Sequence, residues 1–290
     1  MSMTNQNTSV EGTPEGMGAD VPERPAVLSR VARSIGRNRN IIITFLLLLG
    51  LWEGAVRLFA IPQYLLPAPT DVWEGFLSQP WRMLQNTMVT LQIIVVGYIV
   101  AVLVSVPLAL LIAFSPFVQT TLYPLLVVFQ IIPKIAIAPL MIVWFGFGFM
   151  PKVMLVFLLS FFPIVISAIA GFRSLDDDVE DFARSTGAGP WKMFIKIRLP
   201  QSLPHIFTGL KVGAALAATA AVVAEFVGSD AGLGYLILEY NGFIETPKVF
   251  AAIILLSIAG LAIYYLVEVL ERVAIPWHVS QGKDSAAGSN

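Results

Sequence analysis

Little in this chain of 290 residues is equipped for covalent chemistry. It has no cysteine, which excludes thiolate nucleophiles, thiolate metal sites and disulfides. Its two histidines, His205 and His278, stand far apart, and neither lies in an H-E-x-x-H pattern. Each is expected to be an interfacial residue at the end of a membrane span. No G-x-x-x-x-G-K-[ST] run offers a phosphate cradle, so any ATP that powers this protein is bound by another chain. Gly232-Leu-Gly234 has neither a strand before it nor a lysine after it, and a phosphate role for it is set aside. What remains is charge and hydrogen bonding placed in apolar surroundings. Gln130, Lys134, Trp144 and Glu225 are the candidates within apolar segments, and the polar stretch from Asp176 to Pro200 is the candidate outside them.

That stretch holds five of the nineteen acidic residues and four of the eighteen basic ones. It reads as two short helices with a bend between them. Asp176 to Asp178 offer side-chain oxygens to the orphan N–H groups of the first helix and negative charge to its positive end. Val179, Phe182, Ala183 and Thr186 then give it one less polar face. Gly187 and Gly189 can take the left-handed geometry that ends a helix, and Pro190 suits the first position of the next. Trp191, Phe194, Ile195 and Leu199 line one side of the second helix, and Pro200 is expected to stop it. An amphipathic pair between membrane spans is a docking surface for something in the cytoplasm.

The elements around it are membrane spans. With 57% hydrophobic and 13% charged residues, the chain is an integral membrane protein, and a net charge of −1 gives no general attraction to nucleic acid. Residues 1–39 are expected to be a disordered cytoplasmic tail, 40–278 a transmembrane domain with its loop at 174–203, and 279–290 a disordered C-terminal tail. The apolar run Ile41 to Ile61 is long enough to span and starts too late for a cleaved signal peptide. Within it Glu53 and Arg57, at i and i+4, neutralise each other, since a charge deep in a bilayer costs roughly 2.5–3.5 kcal/mol on insertion scales. Asp71 and Glu74 suggest a capped short helix carrying Trp73 and Trp81, and a second span follows from about Thr87 to Phe114.

The third apolar segment, Val118 to Phe149, is too long for one straight span. Pro124, Pro133 and Pro139 predict a broken helix, which survives at membrane depth only inside protein or beside a watery cavity. Gln130, Lys134 and Trp144 are therefore placed near a solute path; the competing reading of Lys134 is that it snorkels to an interface. A Gly146-Phe-Gly148 turn leads into the fourth span, Lys152 to Phe172, and Pro204 opens the fifth, to about Val227. Gly209, Gly213, Ala217 and Ala221 repeat every four residues along it, a ridge of small residues winding by about 40° per step. Its expected contact is a second copy of the chain or the third segment. Glu225, one step further, is either a polar gate or a carboxylate at the water interface. Gly228 to Gly234 reads as a flexible outer turn, and Lys248 to Glu271 supplies the last span. With an inside N-terminus and about six spans, thirteen of the eighteen Lys and Arg fall on the cytoplasmic side with both termini.

Asp181-Phe182-Ala183, three residues, Gly187, nine residues and Ile197-Arg198-Leu199-Pro200 resemble the EAA loop of bacterial ABC-importer permeases. The family pattern is Glu-Ala-Ala, three residues, Gly, nine residues, Ile-x-Leu-Pro. Asp181 keeps the usual charge, while Phe182 in place of alanine asks for a roomier seat. Ala224-Glu225-Phe226, Gly232-Leu-Gly234-Tyr235 and Glu271-Arg272 with Trp277 resemble the nitrate, sulfonate and taurine branch, which also includes importers of thiamine-precursor pyrimidines and riboflavin. The resemblance covers residues 40–278. It implies an all-α type I importer permease in the bacterial inner membrane, working with a pair of ATPase subunits, a second permease copy and an extracytoplasmic solute-binding protein. It assigns ATPase coupling to Asp181, Ala183, Gly187, Ile197, Leu199 and Pro200, and needs no cofactor on this chain. An ATP-independent secondary transporter or channel is the alternative; of the carboxylates it would need, only Glu53 and Glu225 lie in apolar runs.

Overall fold

The computed structural model describes residues 27–187 and 189–277, with side chains from Ile42 onward except that of Asp177. Every regular element among them is helical. In chain order these are α1 (Val27–Leu58), α2 (Pro69–Ser78), α3 (Pro80–Phe114), α4 (Pro116–Ile131), a 3-10 turn (Lys134–Ile137), α5 (Ala138–Phe145) and α6 (Phe149–Phe172). Then come α7 (Asp177–Ser185), α8 (Pro190–Met193), a π turn (Phe194–Arg198), α9 (Leu199–Gly228), α10 (Leu233–Gly242) and α11 (Thr246–Ala274). The expected tails at 1–26 and 279–290, and His278, lie outside the described residues. Residues 27–39 are helical, a correction to the 1–39 tail: extending a helix outward from an apolar run needs no new nucleus.

The chain divides into two units, up to Leu51 and from Trp52 onward. In the first, the apolar side chains from Ile42 to Leu51 are mostly exposed, as suits a helix with lipid around it. In the second, four helical stretches are long and apolar enough to cross a membrane: α3, α6, Pro190–Gly228 and α11. A fifth arises if α4 and the Lys134–Phe145 stretch, bent by 82°, form one broken span, as the three prolines predict. Two boundaries differ from expectation. Trp81 belongs to α3, which starts at Pro80, because Pro80 suits a first helical position. Pro200 stops nothing, and Pro204 lies inside α9 instead of opening it. The Leu199 N–H reaches back five residues to Phe194 O, a wide turn that carries the helix past the missing proline N–H.

Helix α6 is the hub. Its apolar window is 56% buried, against 22% for α11. Small residues let its neighbours approach. A Cβ on Gly97 of α3 would lie 2.6 Å from the Val156 side chain. On α9, one on Gly209 would meet Ser167 at 2.5 Å, and one on Gly213 would meet Ile164 at 2.9 Å. Ser160 Oγ donates to Gly213 O at 3.0 Å across the same contact. The small-residue ridge thus packs against α6, the fourth span of the same chain, which corrects the expected contact with a second copy or the third segment. The missing side chains at Gly209 and Gly213 make room for Ser167 and Ile164 of α6, and the Ser160 hydroxyl bonds across the close approach. Ala217 and Ala221, also on the ridge, are fully buried in the core that α3, α6 and α9 share.

Candidate functional site

The polar loop folds as its residues dictate. Asp176 caps α7, its carboxylate accepting from Asp178 N–H at 3.2 Å. Gly187 ends the helix at φ +80°, where any other residue is strained. Gly189 is an ordinary extended residue at φ −68°, so only one of the two glycines is left-handed. Pro190 then opens α8.

A carboxylate absent from the expected set organises this loop. Glu180 Oε1 accepts from Arg184 Nη2 at 2.6 Å, and Oε2 accepts from Arg198 Nη2 at 2.5 Å, so α7 is clasped to the π turn beneath α9. The Arg198 guanidinium also lies over the Phe114 ring at the end of α3, 5.1 Å from its centroid. Phe194 meets Phe114 edge-on at 5.4 Å. These groups surround a cavity of about 370 Å³ with Met193 and Arg184. Gln201 donates to Ser174 O at 3.0 Å, closing the loop at its base. Glu180 and Arg184 at i and i+4 were legible in sequence. The bond to Arg198, eighteen residues on across a bend, was not.

The expected coupling residues separate by burial. Asp181 and Gly187 are exposed, Ala183 is buried, and Ile197, Leu199 and Pro200 are half-buried at the base, with Leu199 against the core near Phe172 and Ile206. The outward apolar groups are Phe182, 70% exposed, and Trp191, 72% exposed.

The four expected path residues do not converge. Gln130 and Lys134 share a groove of about 310 Å³ with Leu159, Phe162 and Leu216. Lys134 Nζ donates to Gln130 O at 2.8 Å and sits 4.4 Å from the Phe162 ring centroid. Trp144 is 64% exposed and does not line this groove. Glu225 is 1% exposed at the opposite end of α9 from the loop, so it is not a carboxylate at a water interface. It accepts from Thr90 Oγ1 at 2.8 Å and from Gly234 N–H at 2.6 Å. Asn86 and Thr90 of α3 accept from the N–H groups of Gly232 and Leu233, at 2.6 and 2.8 Å. Three side chains therefore cap the start of α10, and the expected flexible turn is a fixed one.

Residues 105–274 match the family model for the binding-protein-dependent transport system inner membrane component. The chain belongs to this family. The matched residues contain the loop, the groove and the α6–α9 contact. Among curated relatives of this inner-membrane component, a probable ABC transporter permease protein of Haemophilus influenzae is 34% identical, covering 76% of this chain and 90% of its own. The riboflavin transport system permease protein of Chloroflexus aurantiacus is 35% identical, covering 82% and 90%. The taurine transport system permease protein of Escherichia coli is 30% identical, covering 81% and 88%. A chain of the inward-facing MetNI methionine ABC transporter shares the fold at 18% identity and TM-score 0.56, covering 68% of this chain and 98% of that one. The protein is a multi-pass ABC-importer permease.

Proposed function

We propose that two copies of this chain form the path of an importer in the bacterial inner membrane, that ATP is hydrolysed on a separate pair of ATPase subunits, and that an extracytoplasmic binding protein delivers the solute. The chain itself uses no cofactor. Its termini and the α7–α8 loop face the cytoplasm, in keeping with where the lysines and arginines fall. The observation that carries this reading is the loop's construction: an exposed Asp181, Phe182 and Trp191 on two helices clasped by Glu180 and Arg198 to the base of α9. A partner gripping the exposed side pulls α9, and α6 follows through the contact at Gly209 and Gly213. The pull does work only if the partner holds the loop differently in its two states. The solute is small: an oxyanion such as nitrate, a sulfonate or taurine, or a pyrimidine or vitamin precursor, in line with relatives named for riboflavin, formylaminopyrimidine, taurine and sulfonate transport.

The test is uptake by vesicles containing the permease, its ATPase and its binding protein. Gly187→Trp is expected to insert normally and to hydrolyse ATP without moving solute. Uptake at the wild-type rate by that variant, or uptake by the permease with no ATPase present, overturns the reading; the second result belongs to a secondary transporter or channel.

A further inference from the structure

Lys134, in the 3-10 turn, stands apart from the cations of the long helices. In α3, Arg82 holds Glu239 at 2.6 Å; in α9, Lys211 holds Glu271 at 2.6 Å; in α11, Lys248 and Arg272 hold Glu245 and Glu268 at 2.9 and 2.5 Å. Lys152, at the start of α6, donates to Ser229 just past the end of α9. Among the described residues, Lys134 has no carboxylate partner; its contacts are the Gln130 carbonyl and the face of the Phe162 ring.

Its depth makes this consequential. Phe162 lies thirteen residues from Phe149 and ten from Phe172, about 20 and 15 Å along α6 at 1.5 Å per residue, so it is well inside the span. A cation there is kept by a buried counter-charge or by an aqueous path. The groove beside it is open, about 310 Å³, within the range of small-molecule sites, and otherwise lined by Pro133, Ile135, Leu159, Pro163 and Leu216. The ammonium has three N–H donors, and one is used by the carbonyl bond, which leaves two for a ligand. Gln130, at the same groove, adds an amide with donors of its own.

We infer that the solute crossing this groove carries a negative charge, a small carboxylate, sulfonate or comparable oxyanion, and that Lys134 is the residue that selects for it. The missing counter-charge arrives with the solute and leaves with it. An uncharged heterocycle of the same size stacks on Phe162 but leaves the ammonium unneutralised. This inference rests on the permease reading and narrows its substrate class.

Two measurements on the full transporter test it. In nanodiscs, lysine is incorporated biosynthetically with 13C at Cε, which leaves the ammonium its three N–H donors, and the Lys134 signal is assigned by its loss in Lys134→Arg. Ethanesulfonate, acetate and riboflavin are then titrated in turn. The signal is expected to move with at least one of the two anions and to stay with riboflavin; a signal unmoved by both anions overturns the inference. In vesicles, ATP-driven uptake is followed for ethanesulfonate, nitrate and riboflavin. Lys134→Gln is expected to lower anion uptake about tenfold or more, while Lys134→Arg retains most of it. ATP-driven riboflavin uptake that is equal in wild type and Lys134→Gln sinks the inference and leaves the permease reading intact. If none of the three solutes is taken up with all subunits present, the Lys134 13C signal alone decides the inference, and a signal unmoved by both anions overturns it.

Discussion

The two ends of α9 both rely on a carboxylate to hold a neighbouring helix, and they do so in opposite ways. At the far end, Glu225 is 1% exposed and shares the start of α10 with Asn86 and Thr90, so every donor it faces is satisfied inside protein. At the loop end, Glu180 and Arg198 each keep 20% of the side chain exposed, and the helices on either side of the bend, α7 and α8, present Phe182 and Trp191 outward. A sealed polar cluster is rigid because any opening leaves buried groups unpaired. A partly exposed ion pair is weaker, partly screened by solvent, and compatible with movement. One end is built to stay fixed, and the other suits the handle that the proposed coupling needs.

The largest effect that tests this contrast comes from placing the same methyl group at both ends. Gly232 sits at φ +111°, and a Cβ there would lie 2.3 Å from Glu225 Oε1. Gly187 sits at φ +80° with nothing within 4 Å of its Cβ position. Gly232→Ala adds displacement of a buried, bonded carboxylate to backbone strain, and is expected to cost about 3–5 kcal/mol. Gly187→Ala adds backbone strain alone, about 1–2 kcal/mol. Thermal unfolding of the two variants in detergent measures the difference; equal shifts in Tm mean that the far end is no more rigid than the loop.

The Glu180–Arg198 clasp gives an intermediate effect. Glu180→Gln and Arg198→Gln are each expected to cost about 1 kcal/mol of stability, the discount for partial exposure included. Their larger consequence is functional: ATP hydrolysed per solute moved rises, because α7 no longer carries α9 with it. Exchanging the two charges, Glu180→Arg with Arg198→Glu, restores part of the coupling if the clasp transmits the pull. A double exchange no better than either single variant removes the clasp from the mechanism.

What the sequence made legible follows from the range of each interaction. The EAA spacing, the Asp176 cap, the left-handed Gly187 and the break at Pro133 are local, within a few residues of the signal that announces them. The continuity of α8 with α9 was hidden because Pro200 and Pro204 read as helix breaks, and the π turn that absorbs Pro200 has no compositional mark. The far-end cap was hidden for another reason. Its glycines read as flexibility, yet Gly232 is there for close approach, and its partner Asn86 lies 146 positions away. The ridge at Gly209 reads as a surface for close approach and lies against α6, a partner the sequence leaves open, because small residues specify closeness and not the identity of the neighbour.

The smallest expected effect on stability sharpens the contrast most cleanly. Phe182 stands where the family pattern has alanine, on the exposed side of α7, and 70% of it is exposed. Truncating an exposed side chain that the fold does not use changes stability by less than about 0.5 kcal/mol. If Phe182 is part of the handle, the loss falls on the partner: Phe182→Ala vacates a pocket on the ATPase and is expected to weaken co-purification of the two proteins, since aromatic anchors dominate such contacts. The measurement is paired, unfolding of the permease alone against retention of the ATPase on it. A variant that unfolds earlier but holds its partner as tightly as wild type makes Phe182 a structural residue of the loop, and leaves Trp191 to carry the grip.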